Sequence, residues 1–281
     1  MTARNSRKKS QGESQRKSPA RSKGAFRLAS LVPGAATRRR WFKKFSGAST
    51  TLQVIVGVAV IAAVWLVVNV MYQVIRKPSE LFFPVSDSFY KTPTATWKEY
   101  SSLFRDHSTA VMTPEFLAAL AQAEGSGNPV ARTYWRWSFT HHPFEIYRPA
   151  SSAVGMYQFT DGTFDEARHY CIRNHVVAAD GDCWFNSLYT RTVPSHAVEL
   201  TSAYLDVRVS QTLRRYGITR ASRQQKQDLA TIIHLCGAGA GSAYARRGLR
   251  LIPGQRCGDH DVRAYVQRIN TLKQLFARLD P

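Results

Sequence analysis

From Phe45 to Ile75 the chain carries no charged side chain. Inside that window, Thr51 to Tyr72 is a nearly unbroken apolar run, about the 20 residues a helix needs to cross a bilayer core. A buried helix of a soluble domain rarely lacks charge over such a length. A signal peptide has a shorter apolar region, followed by a small-residue cleavage site. Tyr72-Gln-Val-Ile-Arg-Lys-Pro78 offers none, so an uncleaved anchor is expected over 48–75. Trp41-Phe42 and Tyr72 suit its two interfaces.

Beyond it, Pro78, Pro84 and Pro93 punctuate a segment over 76–95 that reads as an extended linker with some docking contacts. A domain over 96–281 then shows helical spacing. Thr113-Pro114-Glu115 is a helix start: a capping Thr, Pro at the first helical position and an early acid. Phe116, Leu120 and Glu124 follow on one stripe. Further helices are expected near 160–174, 196–215, 222–236 and 261–279; the last has Val262, Tyr265, Val266, Ile269, Leu272 and Phe276 at helical intervals. No stretch shows persuasive period-two alternation. The expected fold class is mainly α.

Charge adds a direction. The chain has 39 Lys and Arg against 19 Asp and Glu. Fourteen of the basic side chains, and only one acid, lie in the first 50 residues. Residues 1–47 are too polar to build a core and form a basic tail, suited to anionic inner-leaflet lipids or simply to solvent. The positive-inside rule puts this tail in the cytoplasm and the C-terminal domain across the inner membrane, in a periplasm. Aromatic stacking groups are sparse in the tail, and the chain has neither a phosphate-binding loop nor zinc-finger spacing, so no nucleic-acid partner is expected.

Cys171, Cys183, Cys236 and Cys257 all follow the apolar run. An even count in an exported domain suggests disulfides. Of three pairings, the local ones, Cys171–Cys183 and Cys236–Cys257, close short loops. Zinc is the rival reading, but there is no C-x-x-C pair and His169-x-Cys171 is only a fragment. Neither metal nor cofactor is expected.

Glu124 is the candidate for chemistry. A carboxyl on an apolar stripe resists ionisation and can donate a proton near neutral pH. Gly125-Ser126-Gly127-Asn128-Pro129 must break the helix directly after it, leaving Glu124 at the rim of a turn. By position alone it would be an ordinary helix-end acid. However, Phe116-Leu-Ala-Ala-Leu-Ala-Gln-Ala-Glu124-Gly-Ser-Gly-Asn-Pro129 resembles the catalytic helix of the soluble-type lytic transglycosylases, which share a fold with goose-type lysozyme. Gly155-Met156-Tyr157-Gln158 resembles that family's Gly-Leu-Met-Gln segment. Val198-Glu199-Leu-Thr-Ser-Ala203-Tyr204-Leu205 resembles its next helix. Ile233-His234-Leu-Cys-Gly237-Ala-Gly239 stands where the family has Ala-Tyr-Asn-Ala-Gly-x-Gly. The four segments occur in the family's order, over about half of the chain.

The resemblance implies a lysozyme-like domain that cleaves the MurNAc–GlcNAc bond of peptidoglycan and leaves 1,6-anhydroMurNAc ends, with Glu124 as sole acid and base. Ser126, Gly155, Met156, Tyr157, Gln158 and His234 would contact substrate, with Gly155 giving a sugar close access to the backbone. Glu145 or Asp161 would be the second carboxylate if the reaction were hydrolytic. Tyr134, Trp135, Trp137 and Phe139, in a long stretch between Glu124 and Gly155, could pack in the core or form sugar-stacking walls. Three departures stand out: that long stretch, Gly125 where the family has Ser, and His234 where it has the Tyr that supports the Glu. These leave a non-catalytic glycan-binding scaffold as the alternative. A tethered enzyme would suit local wall opening by an envelope secretion or assembly machine.

Overall fold

The structure is a computed structural model. It describes residues 46–82 and 84–280, with Thr37, Arg39, Arg40 and Lys43. The basic tail therefore lies almost wholly outside the described residues, as do Trp41 and Phe42. The chain divides into two compact units, residues 1–62 and 63–281.

The molecule is mainly helical, as its periodicity predicts. The charge-free run forms α1, Thr50–Arg76. It is the one helix among the described residues long and apolar enough to cross a membrane. At 1.5 Å per residue it is about 40 Å long.

The segment expected as an extended linker is folded. Short 3-10 turns form at Pro78–Phe82 and Ser86–Phe89. Glu80 and Ser86 are buried. The Ser86 hydroxyl donates to the Val130 carbonyl at 3.3 Å, and Asn128 Nδ2 donates to the Ser86 carbonyl at 2.7 Å. The segment thus straps the loop that follows Glu124. The domain also starts before residue 96, because Thr92 caps a helix at Pro93: α2, Pro93–Asp106.

Next comes α3, Pro114–Gly125, whose Thr113 side chain accepts from Phe116 N as the capping pattern requires. Phe116 to Ala121 are all fully buried. The helix is therefore central and enclosed on every side, rather than packed along a single stripe. It packs most extensively on α7, Val262–Leu279, and next on α2. Between them α4, Asp161–Ala167, α5, Pro194–Arg215, and α6, Arg223–Arg246, complete the domain. Leu200, Leu205, Leu229 and Phe276 close the core around α3.

Among the described residues, three small antiparallel hairpins, which the mainly α expectation did not place, accompany the helices. In chain order they are β1 and β2 (Trp135–Trp137 with Tyr147–Pro149), β3 and β4 (Tyr170–Arg173 with Val176–Ala179), and β5 and β6 (Arg256–Cys257 with His260–Asp261). The second replaces the far end of the helix expected over 160–174. Asn174 and His175 turn it with φ of 49° and 63°, the left-handed pair that tight hairpins use.

The cysteines take the local pairing. Cys171 is bonded to Cys183 and Cys236 to Cys257, each with Cα atoms 5.6 Å apart.

Candidate active site

Glu124 occupies the last full turn of α3. Ser126 then enters the left-handed region (φ 48°), and its N–H caps the Ala121 and Gln122 carbonyls. This stops the helix one residue past the acid. The Glu124 side chain keeps 18% of its surface exposed, so a solute can reach a carboxyl held otherwise by protein.

Two side chains meet that carboxyl. The Tyr265 hydroxyl donates to Glu124 Oε1 across 141 positions of sequence. His234 Nε2 lies 3.9 Å from the same oxygen, with its side chain 10% exposed. That is ion-pair range but longer than a hydrogen bond. Burial, chiefly, and then the charge of Glu124 push the Tyr265 hydroxyl far above its ordinary value. Tyr265 therefore stays protonated at any working pH and acts as a standing donor. A tyrosine does meet the Glu124 carboxyl, but it comes from α7 rather than from the segment around His234. Periodicity marks Tyr265 only as a member of an apolar stripe. Its signal is faint: a lone hydroxyl among Val262, Val266 and Ile269.

Local backbone geometry keeps His234 and Tyr265 in register. The helix expected over 222–236 does end there, at non-helical Gly237 (φ 80°, ψ 174°), three residues past His234, and a second helical segment follows to Arg246. Cys236, at that break, is tied to Cys257 in the β5–β6 hairpin. That hairpin leads directly into α7, where Asp261 caps Ala264 N. His260 places its ring edge-on to Tyr265, with centroids 6.1 Å apart. One disulfide thus joins the two elements that bring His234 and Tyr265 to Glu124.

The Gly155–Gln158 segment supports the acid from behind. A Cβ on Gly125 would sit 2.9 Å from Met156 Cα and 3.0 Å from its carbonyl oxygen. The close approach of Met156 backbone accounts for Gly where the resembled family has Ser. Gly155 adopts φ +82°, and a Cβ there would run into the Arg191 carbonyl. Its freedom thus serves chain packing rather than access for a sugar. Met156 and Tyr157 are fully buried, and the Tyr157 hydroxyl donates to the Leu117 carbonyl at 3.1 Å. These two side chains floor the site from inside the core and present no face to a ligand. Gln158 Nε2 donates to the Ala131 and Gly155 carbonyls at 3.2 and 2.9 Å, which engages its amide in the turn. Ser126 is half-buried at the rim, and its carbonyl accepts from Lys91 N at 2.9 Å.

Glu145 and Asp161, the candidate second carboxylates, are paired with arginines. Glu145 takes Arg76 at 2.8 Å and Arg148 at 3.3 Å. Asp161 takes Arg191 at 2.8 Å. Both line one cavity of about 250 Å³ together with Arg76, Lys77 and Arg148, and Glu124 does not contribute to that lining. Tyr134, Trp137 and Phe139 are exposed and so do not pack in the core.

Elsewhere, buried Glu199 on α5 accepts from Ile172 N at 2.9 Å and from the Tyr189 hydroxyl at 2.7 Å. It stands 3.9 Å from His107 Nδ1. This fastens the β3–β4 hairpin to the helical core. No protein-family model matches the chain, and no curated protein matches it.

Proposed function

We propose that this chain is a membrane-anchored peptidoglycan lytic transglycosylase with a lysozyme-like catalytic domain. One observation carries the reading. A reachable carboxyl, Glu124, ends a largely buried helix and accepts from the Tyr265 hydroxyl, with His234 beside it. The order of the four resembling segments supports it independently.

In the forward step the Glu124 carboxyl donates its proton to the oxygen joining MurNAc to GlcNAc. The anomeric C–O bond breaks as the acetamido oxygen of the same MurNAc attacks C1. Glu124, now a carboxylate, takes the proton of the C6 hydroxyl. O6 attacks C1, the bond to the acetamido oxygen opens, and a 1,6-anhydro ring forms. No water is consumed and Glu124 regains its proton, so one carboxyl suffices. Tyr265 stabilises the carboxylate between the two steps, where a hydrogen bond to charge is worth roughly 1.5–3 kcal/mol. His234 lies 3.9 Å from the same oxygen and completes the wall around the carboxyl.

The anchor is α1, with the basic tail inside and the catalytic domain in the periplasm. The pairing of all four cysteines supports an oxidising compartment. The test is to incubate the detergent-solubilised full chain with purified sacculi. Anhydro-muropeptides, detected by mass spectrometry, are the expected product. Reducing-end muropeptides would make the protein a hydrolase. Sacculus binding without release would make it a scaffold.

A further inference from the structure

The long stretch between Glu124 and Gly155, which the site leaves unused, folds as the β1–β2 hairpin and lies against α1. Trp65 Nε1 donates to the Pro143 carbonyl at 3.1 Å, Asn69 Nδ2 to the Tyr147 carbonyl at 2.7 Å and Gln73 Nε2 to the Phe144 carbonyl at 2.6 Å. These donors recur every four residues, so they form one stripe of the helix. Trp65 stacks on Trp137 with ring centroids 6.4 Å apart, and Tyr72 packs on Phe144 at 5.6 Å. Asn69 and Gln73, polar residues in an apolar helix, are buried in this contact. Facing hydrocarbon, such side chains would be costly; the hairpin backbone receives them instead.

Charge is sorted along this contact. Arg76 pairs with Glu145, which also pairs with Arg148, and Lys77 Nζ donates to the Ser151 and Ala153 carbonyls. The tip itself, Trp137-Ser-Phe-Thr-His-His-Pro-Phe144, has no Lys, Arg, Asp or Glu. The tip reaches from Tyr72 and Gln73, which meet Phe144, to Trp65, which meets Pro143 and Trp137; Trp65 lies eleven residues before Arg76, or about 16 Å along the helix axis. Around α1, Leu66, Val67, Met71 and Ile75 expose apolar surface, and the hairpin packed on the helix exposes Trp137 and Phe139, so both elements present apolar side chains outward. Water is a poor solvent for this surface. A bilayer extending to the Arg76 level solvates it, with the aromatic tip below the headgroups.

We propose that the tip of the β1–β2 hairpin, residues 137–144, inserts into the outer leaflet of the bilayer that α1 crosses. This seats the catalytic domain on the membrane surface instead of letting it swing on a tether. The inference rests on the reading of α1 as a membrane span. Glu124 would then act on glycan lying next to the membrane rather than at the far face of the wall.

Reconstitute the full chain in phosphatidylcholine–phosphatidylglycerol vesicles, with its native disulfides left oxidised. Label Phe139→Cys, and separately Val58→Cys and Lys226→Cys, with the polarity-sensitive fluorophore NBD. Measure quenching by lipids bearing a nitroxide at a shallow or a deep acyl position. The expected result at residue 139 is blue-shifted emission and loss of intensity with the shallow nitroxide. Residue 58 should be quenched by the deep nitroxide, and residue 226 should stay water-like. Quenching at 58 with water-like emission at 139 would overturn the insertion while leaving the anchor standing. Absence of quenching at 58 would overturn the anchor, and the insertion with it.

Discussion

Tyr265 and Glu124 show how a distant hydroxyl turns an ordinary helix-end acid into a catalytic candidate. The donor is locked in its protonated form by burial, so its loss should register in turnover rather than in binding. Tyr265→Phe is expected to lower kcat by about 10–100-fold, corresponding to one hydrogen bond to a charged group. KM for glycan should change little; a fall confined to KM would count against the role. A second residue-scale prediction concerns His107 and His196. Burial, their leading influence, lowers both below the ordinary histidine value. The folded state therefore resists protons that the unfolded chain accepts below about pH 6.5. This contribution to stability is fully present above that pH and is lost as pH falls toward the folded values. Urea unfolding between pH 5 and 7.5 should show stability rising with pH and levelling off near 6.5. His107→Gln should flatten the rise.

The Cys236–Cys257 bridge gives the element scale its own experiment. It closes a 21-residue separation, for which chain entropy predicts roughly 3 kcal/mol of stabilisation. It also clamps the Gly237 break of α6 to the hairpin that starts α7. Replacing both cysteines by Ser should therefore cost activity beyond the loss of stability, measured well below the variant's Tm. The Cys171→Ser/Cys183→Ser pair fastens β3 to a surface turn and should cost stability with little change in kcat. Equal activity loss in both variants would contradict the clamp. Elements were legible in the sequence where local chemistry specifies them. Thr113-Pro114 starts α3, the charge-free run forms α1, and Val262 to Phe276 trace α7. The hairpins were not, because strands of two to four residues are too short to display alternation. The first turn of α2 was hidden inside a proline-rich stretch, although Thr92-Pro93 is itself a cap. Of the site, Glu124 and His234 could be picked out. Tyr265 could not, since its role depends on a contact between α3 and α7 that no local pattern encodes. Met156 and Tyr157 looked like cleft residues because a segment's resemblance does not reveal which way its side chains point.

At the scale of the whole molecule, folded turns at Pro78–Phe82 and Ser86–Phe89 and the hairpin beside α1 stand where an extended linker with some docking contacts was expected. Asn128, just beyond Glu124, is bonded to the strap, and Arg132 lies 3.7 Å from the buried Glu80 within it. The acid, the strap and the foot of α1 thus belong to one continuous body, residues 63–281. If Glu124 is the acid proposed above, such a body holds it at a fixed place, as the proposed local opening of the wall near the membrane would require. All of this depends on whether Glu124 performs glycan chemistry. The most direct measurement compares the products released from sacculi by wild type and by Glu124→Gln. General acid–base catalysis is typically worth 10²–10⁴-fold. The expected products are 1,6-anhydro-muropeptides from wild type, with a loss of about that size in the variant and sacculus binding retained. Equal release by both proteins, or none by wild type, would contradict it.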